Sequence, residues 1–276
     1  MSPELVFWYG LALKMVLTAT VVVITSLVVE RSGPFLGALI GSLPTAAGAA
    51  YTILALEHPP SFIAASAIGS VAIDAAIAIF AATYAMLAPR NGLLVSLSAA
   101  TALWFAAAAA LRMVDWTPLG AVAINAAVYA VTIPLSWRYR AGGGPVKFVR
   151  TPFDIPLRAL TVAIVVAVVT AASSSIGSFA SGMFALFPII LGSSIVIMHP
   201  RIGGKATGSM LAHTQLPLIG LGLGFLAVHY LVAPIGVWPA LAVGLAVCLV
   251  WSGVLLIIRT RQQRRSSATS ISRAAP

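Results

Sequence analysis

The chain has 276 residues, of which 60% are apolar or aromatic and only 8% charged, against roughly 25% charged in an ordinary soluble domain. That excludes the pair of soluble domains the length would otherwise suit, and apolar runs of about 20 residues recurring from end to end indicate an all-α, polytopic membrane protein. Sixteen Lys and Arg against six acidic residues give a net charge of +10, but the basic residues sit at span edges and in the tail. That is the pattern of membrane topology, not of nucleic-acid binding.

Nine transmembrane helices are predicted, over about 11–29, 33–56, 60–88, 92–111, 117–137, 156–175, 178–198, 206–232 and 236–258. The first has no basic n-region and no A-x-A site, so it is expected to be retained as a span rather than cleaved as a signal peptide. Turn and charge signals separate the spans: Glu30-Arg31-Ser32-Gly33-Pro34, Glu57-His58-Pro59-Pro60, Pro89-Arg90-Asn91-Gly92 and Asp115-Trp116-Thr117-Pro118. The polar stretch Arg138–Arg158, with Gly142-Gly143-Gly144-Pro145, divides the chain into halves. The domain reading is a first membrane repeat with a connector helix at 1–137, a cytoplasmic linker at 138–155, a second repeat at 156–258 and a basic, disordered tail at 259–276.

With the N-terminus outside and the C-terminus in the cytoplasm, fourteen of the sixteen basic residues fall inside; Arg112 lies outside, and Lys14 lies within or just before the first span. The positive-inside bias therefore favours this orientation. A cysteine introduced at Ser2 is expected to be modified by an impermeant reagent in intact cells, and one at Gly143 to be spared. Labelling at Gly143 alone would overturn the topology.

The second half repeats the first at an offset of 144: Gly33/Gly177, Phe35/Phe179, Pro44/Pro188 and Gly48/Gly192 keep the same spacing. Five spans separate the starts of the two repeats, and an odd number reverses direction, so helices 1–4 and 6–9 are expected to form two inverted repeats around connector helix 5. Secondary transporters share this organisation, with the site near the midplane between repeats.

Pro44 and Pro188 fall mid-span. A proline there removes a backbone hydrogen bond and, with Gly48 or Gly192 four residues on, lets the helix unwind and offer backbone groups to a ligand. An ordinary kink is the competing reading. Ser42, Thr45, Ser193 and Ser194 place hydroxyls beside the breaks, so these eight positions form the expected substrate-binding set. Asp74 is the one carboxylate well inside a span, either a coupling group for a proton or cation or a structural partner of Lys14. His213 and Gln215, in the helix corresponding to the one that carries Asp74, are the second coupling candidates, with interhelical hydrogen bonding as the alternative. Asn125 in helix 5 reads as a polar contact between helices.

Cys248 is the sole cysteine, so no disulfide framework or thiol cluster is expected, and no His pair has the spacing of a zinc helix. Neither a cofactor nor a metal is expected. Phosphate-loop, nucleophile-elbow and H-E-x-x-H motifs do not occur, which argues against ATP hydrolysis and against an enzyme.

The stretch Glu30-Arg31-Ser32-Gly33-Pro34-Phe35-Leu36-Gly37-Ala38-Leu39-Ile40-Gly41-Ser42-Leu43-Pro44 resembles the opening of small bacterial membrane families of the glycerol-metabolism-associated GlpM type, here apparently duplicated. The resemblance implies a bacterial inner-membrane protein and assigns no substrate or site residue. The expected function is a proton-coupled secondary transporter of a small solute, working in the lipid bilayer. The alternative is a scaffold or accessory subunit, with Gly33, Gly37 and Gly41 as a close-packing face for a partner or a second copy.

Overall fold

The computed structural model describes residues 33–142, 177–178, 180–183 and 185–274, with isolated helical positions at Val16, Thr20, Val23, Ile24, Val28, Pro156 and Leu160. Among the described residues every regular element is helical: α1 (Gly33–Gly41), α2 (Thr45–Glu57), α3 (Pro60–Leu87), α4 (Leu93–Arg112), α5 (Pro118–Trp137), a 3-10 turn at Arg140–Gly142, α6 (Ile189–Ile235) and α7 (Val237–Ala274). Five helices are long and apolar enough to cross a membrane: α3, α4, α5, α6 and Val237–Gln262 of α7. The predicted spans 11–29 and 156–175 lie outside the described residues apart from those isolated positions.

Local chemistry sets the boundaries. His58 is extended, as a residue before proline prefers, and Pro60 opens α3 where a missing N–H costs nothing. Thr117 caps α5 by accepting from the Gly120 N–H at 3.1 Å, again with proline next in line. Gly236, at φ 85°, closes α6 and lets α7 start at once.

Three features depart from the sequence expectations. The span 33–56 is two helices, α1 and α2, parted at 42–44. The loop expected between 198 and 206 is helical except for a bend at Gly203 (φ 80°, ψ 158°), so α6 comprises arms 189–202 and 204–235. The tail predicted as disordered continues α7 to Ala274; no Gly or Pro interrupts 254–275, and Arg, Gln and Ala are good helix formers.

The centre of the molecule is α3 against the second arm of α6. His229 donates from Nδ1 to the Ala64 carbonyl at 2.9 Å, and Gln215 donates from Nε2 to the Ala78 carbonyl at 3.0 Å. Gly222 faces Asp74, and Gly208 faces the Ala85 backbone. Partner numbers on α6 fall by seven (229, 222, 215, 208) as those on α3 rise, so the two helices run antiparallel along a heptad-spaced seam. The segment at 177–183 runs parallel to α3 on another face: Ser66 donates to the Ser178 carbonyl and Ser70 to the Gly182 carbonyl, both at 2.9 Å. Around this centre, α4 and α5 pack on α3, α1 packs on α6, and α7 lies along α6 through Gly220, Gly224 and Gly244. Of the five long helices, α3 is the most enclosed and α7 the least.

Candidate functional site

Pro44 and Pro188 break their helices in the same way. Their dihedral angles, φ −76°, ψ 43° and φ −75°, ψ 56°, belong neither to a helix nor to a strand, and each proline precedes a new helix. In both, the proline carbonyl accepts from the glycine N–H four residues on (Gly48 and Gly192), so the helix restarts at the proline. The two breaks meet. Ser42, Leu43 and Pro44 line one cavity of about 50 Å³ with Phe187 and Pro188, closed by Ile77, Leu218 and Leu221. That space suits one or two water-sized molecules, so the two breaks lie close together in the conformation described.

Each break also borders a larger, mostly apolar cavity on its outer side. Pro44, Gly48 and Thr52 line about 340 Å³ with Gly224, Leu241 and Leu245. Pro188, Gly192 and Val196 line about 250 Å³ with Phe80, Leu97 and Thr101. Each of these six pairs is separated by 144 residues. Ser42 and Ser193 spend their hydroxyls on carbonyls of their own helices, Ala38 at 2.7 Å and Ile190 at 3.2 Å. Ser194 is fully buried, and its hydroxyl has no hydrogen-bond partner among the described residues. The Thr45 side chain lies outside the described residues.

Asp74 is completely enclosed in α3. One carboxylate oxygen accepts from the Tyr129 hydroxyl at 2.7 Å, and the other has no partner among the described residues. Lys14, the structural partner considered from sequence, lies outside those residues. Flanking Asp74 on α3, Asn125 donates to the Val71 carbonyl at 2.6 Å and Gln215 to the Ala78 carbonyl, and both side-chain oxygens have no partner among the described residues. Among the described residues, three buried acceptors therefore lie along two turns of α3, those of Asn125 and Gln215 each about a turn from Asp74, with the Tyr129 hydroxyl as donor to the carboxylate. An acceptor excess of this kind in a water-poor interior favours a proton or a cation.

Tyr129, Thr132 and Ser136 are what the sequence reading missed, while Asn125 makes a contact between helices as expected. Asn125, Tyr129, Thr132 and Ser136 are all buried and follow one another at helical spacing on α5, a polar stripe on the helix read as a connector. The hydroxyls of Thr132 and Ser136 also lack partners among the described residues. The signal was present in that spacing but was masked by the apolar character of the rest of α5.

His213 does not join Asp74. Its Nδ1 donates to the Ser209 carbonyl at 2.8 Å, and its ring meets Phe35 edge-on at 5.9 Å, beside Arg140 and Arg259. Of the two residues proposed for coupling with Asp74, only Gln215 lies next to it on the seam. Among the described residues no group of three His, Cys, Asp or Glu side chains is placed to hold a metal ion. No protein-family model, curated protein or solved structure matches the chain.

Proposed function

We propose that the protein is a secondary transporter of a small solute, built from two inverted repeats, with solute passing between the proline breaks and Asp74 carrying the coupling proton or cation. The observation that carries this reading is the pair of breaks: matched backbone angles, a shared cavity and flanking cavities whose linings correspond at one offset. The antiparallel run of α3 against the second arm of α6, the helices that correspond in the two halves, supports an inverted relation. Nine spans, with helices 1–4 and 6–9 as the repeats, remain the architecture of this proposal. So do a bacterial inner-membrane location, an external N-terminus and a cytoplasmic C-terminus.

In this mechanism the 50 Å³ cavity between the breaks widens as the repeats rock about them, opening the site first to one side and then to the other. Backbone groups freed at Pro44 and Pro188, with the Ser194 hydroxyl, contact the solute. Asp74 binds a proton or cation from the same interior, and Tyr129 holds the carboxylate in place.

Alternating exposure is measurable before any solute is known. A Cβ at Gly48 or Gly192 would meet nothing within 4 Å, so cysteine fits at either position in a Cys248→Ala background. Gly48→Cys and Gly192→Cys are expected to react with a membrane-impermeant thiol reagent both in right-side-out and in inside-out vesicles. A rigid scaffold would expose each site to one side at most, and that result would overturn the transport reading.

A further inference from the structure

The end of α5, the middle of α6 and the end of the apolar part of α7 bring three basic side chains together away from the proline breaks. Arg140 is anchored there on both sides of its backbone and side chain: Nε donates to the Ala212 carbonyl at 3.2 Å, and its own carbonyl accepts from the Ser209 hydroxyl at 2.8 Å. Its guanidinium carbon lies 4.2 Å from the Trp137 ring centre. One terminal nitrogen, Nη2, is enclosed and has no hydrogen-bond partner among the described residues. Arg259 sits 3.9 Å over the Phe35 ring, and the His213 ring meets the same phenylalanine edge-on at 5.9 Å. The charges of Arg140 and Arg259 act on each other and on His213, and burial followed by the Arg259 charge lowers the pKa of Arg140 from its usual range.

Nothing among the described residues balances this cluster. The described acids are Glu57, Asp74 and Asp115, none of which acts on Arg140 or His213; Glu4, Glu30 and Asp154 lie outside the described residues. Bringing a half-buried guanidinium group and a second one together is unfavourable unless an anion joins them. The planar fork of arginine matches the oxygens of a phosphate group, and stacking on Trp137 and Phe35 fixes both forks without using their N–H donors. We infer that Arg140, Arg259 and His213 form a binding site for a phosphate group, carried either by a soluble ion or solute or by an anionic lipid head.

This site is independent of the transport reading: it requires no cycle and no proline break. The test uses the purified full chain in neutral detergent, with phosphate replacing chloride at constant ionic strength. Phosphate is expected to raise the thermal unfolding midpoint saturably, since a ligand that binds only the folded state stabilises it. Arg140→Gln is expected to abolish the response, and Arg259→Gln to shift half-saturation at least tenfold. Arg138→Gln, which removes a neighbouring charge stacked on Tyr139, is expected to leave it unchanged. Arg140→Lys, which keeps the charge but not the fork, guards against loss through misfolding and is expected to respond weakly. If free phosphate has no effect but phosphatidylglycerol in nanodiscs stabilises the parent over phosphatidylcholine alone, and Arg140→Gln loses that difference, the phosphate is a lipid head. Stabilisation by neither probe, or an Arg140→Gln protein that responds like the parent, overturns the site.

Discussion

Asp74→Asn is expected to abolish coupled transport while most of the protein still folds. The amide keeps an oxygen to accept from Tyr129, and it occupies nearly the same volume opposite Gly222, where a Cβ would already lie 3.0 Å from the carboxylate. What it loses is the ability to take up and release a proton or to neutralise a cation. Solute-driven ion movement in proteoliposomes, followed with a pH-sensitive or sodium-sensitive dye, should fall roughly 100-fold or more, the range attributed to positioned proton-transfer groups. The folded fraction, judged by thermal unfolding of the same preparation, should stay close to that of the parent. Tyr129→Phe separates positioning from coupling. It leaves both carboxylate oxygens unpartnered among the described residues, costs about 1–3 kcal/mol of stability, and should change the ion dependence of flux without eliminating it. Full coupled flux in a well-folded Asp74→Asn protein would remove this carboxylate from the mechanism.

Gly182→Ala should be among the most damaging single-methyl substitutions in the chain. A Cβ there would run into the carbonyl of Ser66, a backbone group with no freedom to swing aside. Relieving the clash requires parting α3 from the 177–183 segment, and that breaks the Ser66 and Ser70 hydrogen bonds to the Ser178 and Gly182 carbonyls. Overpacking and the loss of one buried and one part-buried hydrogen bond together should cost about 3 kcal/mol or more, read as a collapse in monodisperse protein after extraction. Gly192→Ala is the control: its Cβ meets open space, and its effect should stay within about 1 kcal/mol. Equal stability of the two variants would show that the close approach at Gly182 is not tight.

Much of the helix pattern was legible because proline and glycine mark it chemically. Pro60, Gly92 and Pro118 place the ends of α3, α4 and α5 within a residue or two of the predicted limits, and Gly236 places the end of α6 within three, whereas α6 begins at Ile189 instead of 178 and joins two predicted spans. Pro44 and Pro188 were readable as breaks for the same reason: a missing N–H has the same consequence in any helix. Tertiary partnerships were less accessible. The heptad Gly208, Gln215, Gly222, His229 stands in the sequence, yet nothing in an apolar helix says which neighbour its small residues admit. Tyr129 illustrates the difficulty. Tyrosine counts as apolar in a composition and as an anchor at a membrane edge, and only the fold of α5 onto α3 reveals it as the donor to Asp74. His213 is assigned to Asp74 from sequence because the two lie on corresponding helices, whereas its side chain bonds the Ser209 carbonyl and lies near Arg140 and Arg259.

The antiparallel seam also constrains how the chain is made. α3, the most enclosed of the long helices, finds its main partner in the second arm of α6, which begins more than a hundred residues later. During synthesis α3 therefore enters the bilayer with its small-residue faces uncovered and an acidic group at its middle. α5 arrives well before α6 and brings Asn125 and Tyr129 to Val71 and Asp74. In chain order, the polar stripe of α5 is thus the first of these two partners able to cover the carboxylate, ahead of the second arm of α6.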